Sequence, residues 1–387
     1  MFLRLLSVAV VCFCAGGLYG WSALIAPLQE AFDVSTVQTG LVFSIAIVCF
    51  TLAVTVAPSI AAKTPPLRRL ALFSWAGVVS LMLASVAPSY ALFVVCFSAG
   101  FGTFSGAIYI SAVAIAAQSR RPMRATPLMV AAFGIGGAVF GPAWRLMEEE
   151  AWGLISLWPL AVALCLGGVA VWLLPDRTPP DAKETQIGEG SRPVAIDVQG
   201  WVWLVFTLGS FGGLMVLGLA AKILDVAGAS IALSSIALAG VALGNTLGRL
   251  SVIGVSYYLS PIAGLFISLG IGASGLLLTQ LASAEGLLAT GLCLIAVGYG
   301  VMASAIPTLT RSLYGPSCFQ QRFALIFTGW GLAGFCAPWV AGWSFDTTGS
   351  FELAVYLAIG ATGLAFIGAI ALHIRLAKTR GRPPQRA

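Results

Sequence analysis

The chain has 387 residues, of which 59% are hydrophobic and only 9% charged, with a mean hydropathy of +0.98. Soluble chains carry about 25% charged residues, so this composition excludes a soluble globular protein and points to a polytopic membrane protein. The formal charge of +6 matters through the loops that hold it; no long basic stretch with interleaved aromatics suggests nucleic acid.

The first apolar run, from Leu5 to about Pro27 behind Arg4, reads as a retained first helix, because its apolar core is long and eleven spans follow it. The second runs from about Val37 to Ile60, with Lys63, Arg68 and Arg69 in the connection after it. The third and fourth cover about Leu70 to Val86 and Ala91 to Ala117, and Arg120, Arg121 and Arg124 follow. The fifth, about Thr126 to Trp144, leads through an acidic loop at Glu148, Glu149 and Glu150 to a sixth that ends near Leu174. Between Pro175 and Gly200 the composition turns to Pro, Asp, Lys, Glu and Gly, as expected of a solvated linker.

Six more spans follow, at about Trp201 to Ile223, Ala229 to Leu259, Pro261 to Leu281, Gly286 to Leu309, Phe323 to Trp343 and Leu353 to Leu376. The predicted organisation is a six-helix bundle over 1–174, a linker over 175–200, a second bundle over 201–376 and a basic tail over 377–387. Seventeen of the twenty basic residues then fall on the side of the termini, Arg145 and Lys222 on the other, and Arg249 within the membrane. Positive loops stay in the cytoplasm. Both termini and the linker are therefore expected inside, in an inner or plasma membrane.

Arg249 is the central residue of this reading. It lies well inside the eighth span, with more than two uncharged turns before Pro261, and a charge at such depth marks a substrate or ion pathway. Asn245 stands one turn before it on the same face. Gly240, Gly244 and Gly248 recur every four residues and form a smooth ridge for close helix packing. An internal repeat supports two related halves: Gly100-Phe101-Gly102 with Ala107-Ile108 matches Gly298-Tyr299-Gly300 with Ala305-Ile306 at an offset of 198 (298 − 100). Gly134-Ile135-Gly136 with Pro142 similarly matches Gly329-Trp330-Gly331 with Pro338. Two parallel repeats suit a rocking transporter with a site between its halves. The eight cysteines (Cys12, Cys14, Cys49, Cys96, Cys165, Cys293, Cys318, Cys336) form no CxxC pair, and the sole histidine is His373, so no metal or other cofactor is expected.

Tyr19-Gly20-Trp21-Ser22 with Pro27-Leu28-Gln29, Asn245-x-x-Gly248-Arg249, and the run Ala341 to Phe351 (AGWSFDTTGSF) resemble the major facilitator superfamily, and within it the oxalate/formate antiporter and monocarboxylate transporter groups. The resemblance covers nearly the whole chain. It implies twelve transmembrane helices in two six-helix bundles, an all-α membrane fold, and that Arg249 holds a substrate carboxylate. The chain also departs from those groups. Trp330 stands where oxalate/formate antiporters carry a lysine, and one cation in place of two argues against a small dianion. Asn245 replaces the aspartate that suits monocarboxylate transporters to proton coupling. The loop motif after the second span is degenerate, at Ala61 to Arg69, and Tyr257-Tyr258 occupies the usual acidic position after the eighth.

A guanidinium fork suits a carboxylate. Tyr19, Trp21, Tyr109, Tyr299 and Trp330 are the aromatic candidates for enclosing the organic part of a substrate, and Asn245 is a candidate for orienting Arg249 or bonding the substrate, with interhelical packing as its plainer role. Gly240, Gly244, Gly248, Gly137, Gly141, Pro142, Gly331 and Pro338 are the packing and gating candidates. Asp225 and Lys222, near the far end of the seventh span, are expected to pair with each other. The expected function is secondary transport of a small organic anion, a monocarboxylate, by alternating access, with a proton or a counter-anion as coupling partner and the chain a monomer in the lipid bilayer. Efflux of lipophilic or toxic compounds is the rival, disfavoured for cations because no Asp or Glu falls in mid-span; a non-transporting sensor or assembly partner is the reading from another class. No nucleophile, base and metal-ligand set suggests an enzyme.

Overall fold

The computed structural model describes residues 2–60, 64–117, 119, 122–175, 196–255 and 260–380. Most of the linker, Tyr257-Tyr258 and the end of the tail lie outside these residues. Among them are twelve helices long and apolar enough to cross a membrane: Leu3–Phe32, Thr36–Ala57, Pro66–Ser85, Tyr90–Ala116, Leu128–Glu148, Gly153–Trp172, Val198–Val226, Ile231–Ser251, Pro261–Leu281, Glu285–Gly315, Arg322–Thr348 and Glu352–Ala377. We number these spans first to twelfth. Odd spans run away from the face that bears the termini, and even spans return to it.

The boundaries differ from the sequence reading where helix continues through charge. The first span is helical to Phe32, beyond the expected Pro27, but its middle, Gly16–Leu24, tightens into a 3₁₀ stretch. Three glycines weaken the α-helix there, and Gly16 and Gly20 lie so close to the fifth span that a Cβ on either would overlap the backbone of Phe133 or Gly141. Arg68 and Arg69 belong to the first turn of the third span, started by Pro66. Glu148 is on the fifth helix, which extends to Glu149, and not in a loop. The tenth and eleventh spans are joined by a break at Gly315, whose φ of 72° lies in the left-handed region that glycine enters without strain.

The internal repeat is visible as packing. Gly102 of the fourth span rests on the backbone of Ala46 in the second, and Gly300 of the tenth rests on the backbone of Asn245 in the eighth. Those glycines are 198 apart (300 − 102), so each half docks its fourth helix on its second at the equivalent residue. The Gly240–Gly244–Gly248 ridge faces Cys293 and Val297 of the tenth span. It therefore closes the second half on itself and is not at the junction between halves.

The junction is made by the second span against the eleventh, the fifth against the eighth, and the first and fifth against the seventh. Gly40 meets the carbonyl of Pro338, Gly331 meets the side chain of Thr51, and Gly134 meets the hydroxyl of Thr246. At the face opposite the termini this junction is also polar. Arg145, 5% exposed, reaches from the fifth span to Asp225 of the seventh and to Glu148 at 2.6 Å. Lys222 donates to Gln29 Oε1 at 3.1 Å. The expected Lys222–Asp225 pairing is thus replaced by two bonds between halves: Arg145 reaches Asp225 from the fifth span, and Lys222 turns to Gln29 of the first. Asp346 of the eleventh span accepts from the amides of Thr36 (3.1 Å) and Val37 (2.7 Å) at the start of the second, where its charge also meets the positive end of a helix.

Asp225→Asn is expected to lower unfolding stability in detergent by about 1–3 kcal/mol, since it strips Arg145 of a charge-assisted partner. Exchanging the two residues, Arg145→Asp with Asp225→Arg, should recover part of that loss; a double-mutant cycle with no coupling would show that the pair does not join the halves.

Candidate functional site

Arg249 lies two residues before the end of the eighth span, on a helix that continues to Val255, and is 6% exposed. Its Nε donates to Asn245 Oδ1 at 3.1 Å, and its Nη2 donates to the hydroxyl of Tyr19 at 3.1 Å. Asn245 is fully buried. Because Nε–H can only donate, the amide must turn its oxygen to the arginine, and this leaves Asn245 Nδ2 buried without a partner. The guanidinium carbon lies 5.6 Å from the ring centroid of Tyr19 and 6.0 Å from that of Tyr299, within cation–π range. Among the described residues no carboxylate forms an ion pair with Arg249.

Tyr19 comes from the first half and Arg249 from the second, so their hydrogen bond crosses the molecule. The 3₁₀ stretch positions Tyr19, whose Cβ side lies against Gly137 of the fifth span; a Cβ on that glycine would come within 2.7 Å of it. Gly141 likewise packs on Gly20. These two glycines seat the tyrosine within its own half, while Gly331 and Pro338 lie at the junction itself.

The other aromatic residues form a continuous wall. Trp330 Nε1 donates to the Tyr299 hydroxyl at 2.6 Å, and the Trp330 ring stacks on Phe327 with centroids 4.8 Å apart. Phe50 of the second span touches Trp330, Tyr109 and Phe133, each at 5.6 Å. Phe133 also meets Tyr19 at 5.0 Å and Tyr109 at 5.2 Å, edge to face. Of the aromatics expected from sequence, Tyr19, Tyr109, Tyr299 and Trp330 are brought together. Trp21 is not: two residues beyond Tyr19, it points to the other side of the first span, where it packs on Phe93 and Phe97.

Phe50, Phe133 and Phe327 were absent from the sequence reading. One of them carried a signal in the repeat. If Ala46 and Asn245 are equivalent through Gly102 and Gly300, then one turn further Phe50 and Arg249 are equivalent too. The two halves thus place a phenyl ring and a guanidinium at matching positions facing one centre.

Asn245→Asp should add a counter-charge one turn from Arg249, where only an amide oxygen now meets it. The variant is expected to unfold at a higher temperature than the native chain; an unchanged or lowered unfolding temperature would show that residue 245 does not govern Arg249. Gly300→Ala forces a methyl into the Asn245 carbonyl. It is expected to cost about 1–3 kcal/mol in thermal unfolding and to weaken ligand binding through the displaced eighth span.

Comparison with known proteins places this geometry in a family. The model described as Major Facilitator Superfamily matches residues 5–316. A solved structure titled as a bacterial homologue of the human lysosomal transporter Spinster, in an inward-facing and unoccupied conformation, is similar in fold, with a TM-score of 0.68 and 12% identity over 96% of this chain and 94% of that one. No curated protein matches the chain significantly.

Proposed function

From the premise that this chain belongs to the Major Facilitator Superfamily and is a membrane transporter, we propose that it carries a small organic monocarboxylate across the membrane by alternating access. The observation that carries this reading is Arg249, a permanently charged side chain buried within a membrane-length helix, held by neutral partners, and without a counter-ion among the described residues. A desolvated guanidinium is costly, and a substrate carboxylate would supply the missing charge through two parallel hydrogen bonds. The wall of Phe50, Tyr109, Phe133 and Trp330 suits the organic remainder.

One cation matches one carboxylate, and a second would remain in low dielectric without a partner. Cation efflux has less support, because among the described residues Asp and Glu stand only near the ends of the spans, and Asp225 there is engaged by Arg145. The polar contacts at the face opposite the termini would form the gate that must part when the site opens to that side. With the termini cytoplasmic, as the distribution of Lys and Arg favours, this is the external gate of an inner-membrane protein. Exchange with another anion is favoured over proton symport by the neutral Asn245.

Uptake of labelled carboxylates into proteoliposomes tests the proposal. Arg249→Gln should abolish uptake without loss of folded protein, and Arg249→Lys should retain charge but lose the fork, with uptake lowered by about tenfold or more. Transport that survives Arg249→Gln would make the arginine structural and overturn the reading.

A further inference from the structure

The lock at the face opposite the termini holds one cation between two carboxylates. Arg145 Nη2 donates to Asp225 of the other half, and Arg145 Nη1 donates to Glu148, three residues on in its own helix, at 2.6 Å. Glu148 and Asp225 are 26% and 27% exposed, so water screens their mutual repulsion only in part. When the halves part, the two bonds fare differently. The bond to Asp225 crosses the junction and breaks, whereas Glu148 travels with Arg145. Asp225 is not stranded either, because Lys222, three residues before it on the seventh span, attracts it within the second half. Glu30 of the first span adds negative charge near Glu148 and stays in the first half throughout. Each half thus retains a cation for its carboxylate, and the repulsion between Asp225 and Glu148 acts only while the lock is closed.

Resting on the reading of this face as a gate, we propose that Glu148 is the release partner of Arg145, a positioning residue that eases opening. Closing forces two carboxylates onto one guanidinium; opening relieves their repulsion and leaves Arg145 paired. With a neutral group at position 148, Asp225 would have the cation to itself, and opening would leave Arg145 without a counter-ion. Loss of Asp225 acts in the opposite sense, since it removes the bond that crosses the junction. Two carboxylates on the same guanidinium therefore pull the gate in opposite directions, whereas simple structural support of Arg145 by Glu148 would make both changes act alike.

A small cavity reports the opening. Its lining includes Tyr19, Gly20, Gly141, Ala220, Val241 and Ala242, with Gly141 one turn inward of Arg145, so water that passes the lock reaches it first. Hydrogen–deuterium exchange of the purified full-length protein, read in peptides covering 16–24, 137–144 and 238–242, measures how often this region opens. Glu148→Gln is expected to slow exchange there by about threefold or more, and Asp225→Asn to speed it by a similar factor. Glu148→Ser, a second neutral variant, should also slow it, while Glu148→Asp, which keeps the charge, should stay within about twofold of the native chain. With Asp225→Asn in place, Glu148→Gln should no longer slow exchange. If the neutral variants leave exchange unchanged or speed it, or slow it equally in the Asp225→Asn background, the release role is overturned while the gate stands. If Asp225→Asn itself fails to speed exchange, the lock is not the gate, and that reading falls together with this inference.

Discussion

A guanidinium buried between two halves of a membrane protein, with no carboxylate among the described residues to neutralise it, is the constraint around which this structure is arranged. Burying such a charge costs several kcal/mol even after relaxation. What compensates here is neutral: the oxygen of Asn245 one turn earlier, the hydroxyl of Tyr19 across the junction and the faces of two tyrosine rings. Neutral partners stabilise a charge less than an opposite charge does. On the proposed reading, the site is complete enough to persist and incomplete enough to favour an anion, which is what a carrier needs if it must both bind and release.

The scaffold that holds this group is built from close backbone contacts. Gly300 lets the tenth span lie on the carbonyl of Asn245, so the residue that orients Arg249 is fixed by the backbone of a neighbouring helix. The same contact recurs between Gly102 and Ala46, which places Phe50 where the other half places Arg249. Duplication has given two equivalent positions facing one centre, and divergence has made one cationic and the other aromatic. This asymmetry defines a charged end and an apolar end, which on the proposed reading would orient an amphipathic acid.

The fold was legible in the sequence because membrane-length apolar runs are long and nearly uncharged, and the distance to the polar ends fixes their number. Arg249 and Asn245 were legible for the same reason: a charge in such a run stands out, and i,i+4 spacing places its neighbour. Tyr19, Tyr109, Tyr299 and Trp330 carried polar atoms and could be suspected. Phe133 and Phe327 could not, since nothing in composition separates a phenylalanine facing the centre from one facing lipid, and Phe50 could be reached only through the repeat. Trp21 was misplaced because the motif around Tyr19 was read as one unit, whereas residues two apart on a helix face different sides. The partner of Asp225 was misjudged for a related reason: sequence proximity to Lys222 is visible, and the approach of Arg145 from another span is not.

Cross-junction contacts occur at two depths, and this gives the proposed cycle its logic. Arg145 with Asp225, Lys222 with Gln29, and Asp346 with the amides of Thr36 and Val37 hold the face opposite the termini, while Arg249 with Tyr19 holds the centre. A ligand shifts an equilibrium only by binding one state better than the other. On the proposed reading, a carboxylate at Arg249 competes with the Tyr19 hydroxyl for the same Nη2, so occupancy acts directly on the central contact between the halves. The contacts at the far face contain no group that the substrate touches, and they resist separation to the same extent whether the site is filled or empty. The differential effect of substrate must therefore arise at the centre, from the replacement of a neutral hydroxyl by an anion on a buried cation.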